Sequence, residues 1–181
     1  MAISNEEWKR ISEALMAAVA TSSPPPSPGE LPEFYSPYPI LGVRSWLVTG
    51  ILEGRILRGQ YGADWFTPYM KAVCGHGQRH PVPAYKCACG IYARKKIGPG
   101  EVPPHSHVTG VVTMSDVIEH AHGYRAGEAR LLVALCSPQN RPFMEYRYPT
   151  VELVKSSRKL DRVIDYYTKN PDRLPWPQEV Q

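Results

Sequence analysis

The chain has no apolar run near the roughly 20 residues that a membrane-spanning helix needs. Glu6 and Glu7 precede its first apolar stretch, so the basic start of a secretory signal is missing as well. Together these absences predict a cytosolic protein with no membrane contact. There is no Walker-type phosphate loop, no dinucleotide glycine fingerprint and no internal repeat. Strand signals separated by turns rather than by helices exclude a doubly wound nucleotide fold. Acidic residues are missing from one long stretch. Between Asp64 and Glu101 lie Lys71, Arg79, Lys86, Arg94, Lys95 and Lys96, with no carboxylate among them.

Cysteine is sparse, four residues in 181, yet three of the four fall between positions 74 and 89. The segment reads Cys74, Gly75, His76, Gly77, Gln78, Arg79, His80, then Pro81 and Pro83, then Cys87, Ala88, Cys89, Gly90, Ile91, Tyr92. In a reducing cytosol, clustered thiols point to metal binding or reactivity rather than to disulfides. Zinc needs four soft or borderline ligands on turns tight enough to converge, and Cys74, His80, Cys87 and Cys89 supply such a set, with His76 as an alternative to His80. The single residue between Cys87 and Cys89 departs from the usual two-residue knuckle spacing. Thiols buried in a loop without metal are the plainer alternative. Three thiolates and one Zn²⁺ would carry −1, which partly offsets the six cations around them.

Proline is abundant, 19 residues, so much of the chain is expected to be loop or extended segment. We divide the chain into four parts. Residues 1–21 form an amphipathic helix, with Ser4 and Glu7 as a capping box and Trp8, Ile11, Leu15, Ala18 and Val19 on one face. Residues 22–40 are a proline-rich linker or strap. Residues 41–155 are a β-rich core that holds the Cys/His cluster. Residues 156–181 are a C-terminal helix and tail, capped by Ser156 or Ser157, faced by Leu160, Val163, Ile164 and Tyr167, and stopped by Asn170 and Pro171.

Within the core, residues 43–57 read as a strand pair and 88–93 as a short strand. The β-branched run 108–118 pairs with 124–135 in an antiparallel hairpin, although 126–135 also has helical propensity. Residues 59–68 and 138–149 read as aromatic loops, and 151–154 closes the sheet. The fold class expected is α+β, a small curved antiparallel sheet or partial β-barrel flanked by N- and C-terminal helices.

The order Val43 to Trp46, then Cys74, His80 and Pro83, then Cys87, Cys89, Gly90, Ile91 and Tyr92, then Gly110, Val112, Glu119, His120, Gly123, Tyr124, Arg125 and Ala126 resembles a group of uncharacterised proteins of actinobacteria and their phages. The resemblance covers about residues 43–135. It implies a bacterial cytosol or a phage-infected cell as the setting and transfers no catalytic residue.

The leading functional expectation is a noncatalytic module in which the Cys/His cluster shapes a basic loop for DNA or RNA. Lys71, Arg79, Lys86, Arg94, Lys95 and Lys96 would meet phosphates, and Tyr85, Tyr92 or Trp65 would stack on bases. A solvated loop face is the alternative for the charges, and core packing the alternative for Trp65. A protein-interaction adaptor using the N-terminal helix or the proline-rich segment is the second expectation. A metal-dependent hydrolase built from His105, His107, His120 and His122 beside Glu119 is the third. A nucleophilic Cys74, Cys87 or Cys89 with His76 or His80 as base is less supported than a ligand set. Cys136 reads as a small buried hydrophobe.

Overall fold

The computed structural model of the chain describes residues 34–36, 38–51, 54–59, 63–75, 80–96 and 107–178. The expected N-terminal helix, and the adaptor reading that uses it, lie outside those residues. The chain divides into two compact units, Met1–Glu30 and Leu31–Gln181, and every described residue belongs to the second.

The described residues form nine strands: β1 (Phe34–Ser36), β2 (Ile40–Thr49), β3 (Ile56–Gly59), β4 (Asp64–Trp65), β5 (Tyr69–Lys71), β6 (Ile91–Arg94), β7 (His107–His120), β8 (Gly123–Cys136) and β9 (Glu152–Val154). Among the same residues two α-helices, α1 (Arg141–Arg147) and α2 (Ser157–Lys169), follow β8 and β9, and a short 3₁₀ turn spans Pro171–Arg173. The frame is the long hairpin of β7 and β8, paired from Val108↔Cys136 to His120↔Gly123 with a register shift between Val111 and Val112. Its β-branched residues Val108, Val111, Val112, Val117 and Ile118 are all buried: β7 is flanked by β8 on one edge and by β2 and then β1 on the other, and its side chains pack into two apolar clusters. β8 resolves the ambiguity of 126–135 in favour of strand: neighbours on both edges override a helical propensity worth tenths of a kcal/mol per residue. β2 also touches β6 through Val43↔Arg94, so β7, β8, β6 and β2 are paired in a cycle.

The α+β expectation with an antiparallel sheet needs correction. Strand outweighs helix among the described residues, and the sheet is mixed, because β9 runs parallel to β8 through Ala134↔Leu153. The reason lies in residues 138–149, which read as loop. They contain α1, with Pro142 in its first turn where the missing N–H is tolerated, and this helix carries the chain back to start β9 in the direction of β8. α2 follows its sequence signals closely. The Ser156 hydroxyl caps it by accepting from the Lys159 N–H, and it ends at Asn170.

Trp65 belongs to the core. It is 1% exposed and meets Trp46 edge to face with ring centroids 5.1 Å apart, so it is not available for stacking on a base. Tyr148, fully buried just after α1, ties this region together. Its hydroxyl donates to the Trp65 carbonyl at 2.5 Å and accepts from the Leu57 N–H at 3.0 Å. Tyr148→Phe is expected to leave both groups buried without a partner and to lower unfolding free energy by about 2 kcal/mol, measured by urea denaturation with an unchanged slope.

Candidate metal centre

β5 and β6 lie one after the other along the same edge of β8. Lys71, the last residue of β5, is opposite Glu128, and Ile91, the first of β6, is opposite Ala126. The segment 72–90 is therefore an excursion that leaves β8 at Glu128 and returns at Ala126, with Gly127 between. Its two ends must lie close together, and this topology brings Cys74 next to Cys87 and Cys89.

Several contacts hold the excursion to the sheet. The Ala72 N–H donates to the Gly127 carbonyl at 2.7 Å. Gly127 has no side chain because a Cβ there would lie 2.4 Å from the Val82 carbonyl oxygen. Arg125, buried on β8, donates from its two terminal nitrogens to the carbonyls of Cys87 and Ala84, the second at 3.1 Å. Gly90 has φ of +127°, in the region that favours glycine, and a Cβ there would meet Arg125 Cγ at 2.6 Å. Farther along, the Tyr92 hydroxyl donates to the Ala88 carbonyl at 2.7 Å.

One donor atom from each of Cys74, His80, Cys87 and Cys89 lies within 4.8 Å of the other three. The Cys74 and Cys87 sulfurs are 3.7 Å apart. Two sulfurs bound to a tetrahedral zinc at 2.3 Å are separated by about 3.8 Å. A simple thiol–thiol contact has a similar length, but it accounts for two groups and not for four. The wider separations require side-chain shifts of about 1 Å to reach bonding distance. His80 supplies an independent sign. Its Nδ1 is 2.7 Å from the Pro81 carbonyl, which fixes the proton on that nitrogen and leaves the buried Nε2 with the Cys87 sulfur as its polar neighbour. An imidazole held by a backbone carbonyl on one side and facing a cysteine sulfur on the other is prepared as a ligand.

Electrostatics agree. Burial opposes ionisation of Cys87, but hydrogen bonds from the Cys89 backbone and from the Cys89, His80 and Cys74 side chains bring its thiol down to about 6. Burial first, and then the adjacent Cys87, push Cys89 up to about 11. The Pro81 carbonyl, followed by the Cys87 sulfur, holds the His80 imidazolium above its ordinary range. One thiolate is thus favoured and the next is resisted, as expected for three sulfurs that need a shared cation to ionise together. Both Cys87 and Cys89 are buried, which suits ligands better than nucleophiles, because a reactive thiol needs access. Cys136 lies half-buried on β8 outside this group, with its thiol pushed up by burial.

No protein family, curated protein or solved structure matches the chain. Its chemistry is therefore read from its own residues.

The basic segment is less one-sided than its sequence. Lys71 pairs with Glu128 at 2.9 Å, and Lys95 pairs with Glu119 at 2.5 Å, both carboxylates arriving from β7 and β8. Half-buried Arg94 reaches Ser45 Oγ at 3.5 Å, while Lys86 and Lys96 are exposed. Arg79, like His76 and His105, lies outside the described residues. Tyr85 is 50% exposed beside Lys86, whereas Tyr92 is half-buried, with its ring tilted against His120. Among the described residues the Cys74 group is the one metal-ligating cluster, so His107, His120 and His122 form no second centre there. No helix among the described residues is long and apolar enough to cross a membrane.

Reading along the chain gave Arg125, Gly127, Glu119 and Glu128 no role in the Cys/His segment or its lysines. They come from β8 and β7, at least 24 positions away from the groups they serve. The one local signal was Gly90, the residue after Cys89.

Proposed function

We propose that the protein is a noncatalytic binding module built on a structural zinc ion held by Cys74, His80, Cys87 and Cys89. The convergence of these four donors, with His80 held by the Pro81 carbonyl and its Nε2 buried, carries the reading. Four protein ligands fill a tetrahedral shell and leave no open position for a substrate or water, as in structural rather than catalytic zinc sites. The same proposal includes nucleic acid as partner, in the bacterial or phage setting that the resemblance implies. Exposed Tyr85 and Lys86 on the loop that carries Cys87, and exposed Lys96 beyond the end of β6, support it. Lys71 and Lys95 contribute less than their number in the sequence promised, because each is matched by a carboxylate.

The test is fluorescence polarisation with labelled single-stranded DNA and RNA. About three phosphate contacts on a single strand give a salt slope near −2, and affinity is expected to fall roughly twentyfold from 50 to 200 mM salt. Lys86→Glu should weaken binding at every salt concentration. A flat salt response rejects the nucleic-acid partner, whereas the zinc centre is judged separately by metal stoichiometry.

A further inference from the structure

Beside the metal centre, on the side of the excursion that faces β7 and β8, the structure contains a cavity of about 320 Å³. Lys71, Val73, Cys74, His80, Asp116 and Glu128 contribute to its wall, together with Val82 and Gly127. Its volume falls at the lower end of the range for small-ligand sites.

Acceptors dominate its chemistry. Glu128 has a side chain only 8% exposed. One carboxylate oxygen is paired with Lys71, and the other, Oε2, is buried outside hydrogen-bonding geometry, with the Tyr69 hydroxyl also beside the carboxylate. A buried carboxylate oxygen left unpaired is expensive, and natural structures rarely keep one without a use. Asp116 is the second acceptor. Its φ of +52° places it in the left-handed region, where aspartate is several-fold enriched over most residues but still strained, and the β7–β8 ladder has no pair at this position. Gly127 opposite allows the close approach: a Cβ there would lie 3.2 Å from an Asp116 carboxylate oxygen as well as 2.4 Å from the Val82 carbonyl. Two carboxylates, the Val82 carbonyl and the Cys74 sulfur thus line a space in which Lys71, 73% exposed, is already paired and His80 belongs to the metal centre. Phosphate is a poor fit to such a wall; a cation with several N–H donors is a good one.

We propose that this cavity binds a protonated amino or guanidinium group, with Glu128 Oε2 as its principal acceptor and Asp116 as its second. The proposal is independent of the nucleic-acid reading, whose contacts would be phosphates on the exposed loop. The group can belong to a free polyamine-like metabolite or to a lysine or arginine side chain of a bound peptide, since the recognising chemistry is shared.

The experiment titrates the full-length, metal-loaded protein with agmatine and putrescine in one arm and with short arginine- and lysine-containing peptides in the other. The amide NMR signals of Val73, Val82, Gly127 and Glu128 are followed. The citrulline analogue of the arginine peptide, isosteric but neutral, is the control. Saturable shifts at those amides with a cation, and binding at least tenfold weaker for citrulline and for Glu128→Gln, are expected. Binding by the free amines alone assigns a metabolite, and binding by the peptides assigns a side chain; either supports the site. Metal content and the thermal midpoint check that Glu128→Gln remains folded. If it does not, Asp116→Asn carries the test, because asparagine tolerates the same backbone, and at least threefold weaker binding is expected. No saturable shift with any cation, equal binding of the citrulline peptide, or unchanged binding in the variants would overturn the proposal.

Discussion

Cys87→Ser is expected to remove stoichiometric metal from the purified protein, from about one ion per chain to less than about one tenth, and to lower the thermal midpoint by about 10 °C. An ion at this site would fasten an excursion whose ends β8 already holds, so its main effect would be on the segment between them. Cys74 and Cys87 are 13 residues apart, and a cross-link closing a loop of about that length restrains the unfolded chain by about 3 kcal/mol. In a domain of this size each kcal/mol moves the midpoint by roughly 2 to 4 °C. A strong chelator should bring the wild-type protein to the same midpoint and leave Cys87→Ser unchanged, because nothing remains for it to remove. Cys136→Ser serves as the control, since that thiol lies on β8 outside the cluster, and its metal content should equal that of the wild type. A Cys87→Ser protein that still holds one ion per chain would show that the four donors are neighbours without being ligands.

The residues of this centre were legible in the sequence because the chemistry is in the residue types: three cysteines and a histidine among glycines and prolines have few other uses. Their convergence was not legible, because it depends on β5 and β6 sharing one edge of β8, a pairing between residues 29 to 61 positions apart. The hairpin of β7 and β8 was legible from a continuous β-branched run, and α2 from its serine cap and the Asn170-Pro171 stop. α1 was hidden by Pro142 and by aromatic neighbours that resemble loop residues, although the buried Met144 and Tyr148 are what it exists to deliver. The charge pattern misled for a related reason. A tally along the chain places Lys71 and Lys95 in a run without carboxylates, but a sheet sets Glu128 and Glu119 against them from other strands. Aromatic residues were ambiguous in the same way, and packing assigned Trp65 to the core while leaving Tyr85 outside.

Arg125 is the residue on which the shape of the excursion should depend most after the ligands themselves. It is buried, and it satisfies the carbonyls of Ala84 and Cys87, one of which belongs to a proposed ligand residue. Arg125→Met keeps the aliphatic stem but removes both donors. The Cys87 carbonyl loses its guanidinium donor, while the Ala84 carbonyl still accepts from the Cys87 N–H, so a destabilisation of about 2 kcal/mol is expected, and loss of this support behind a ligand residue should weaken metal affinity by about 10- to 100-fold. Arg125→Lys should fall between the two proteins, since one ammonium cannot span both acceptors in the guanidinium geometry. Gly90 provides the cross-check. In Gly90→Ala the new Cβ meets Arg125 Cγ at 2.6 Å, and the backbone is strained at φ of +127°. If these two residues support the centre as one unit, combining Gly90→Ala with Arg125→Ala relieves the steric part of the glycine substitution. The double variant should then lose less stability and less metal affinity than the sum of the single ones. Additive losses, or an Arg125→Met protein that binds metal as tightly as the wild type, would mean that the excursion is shaped by the ion and the β8 pairings alone.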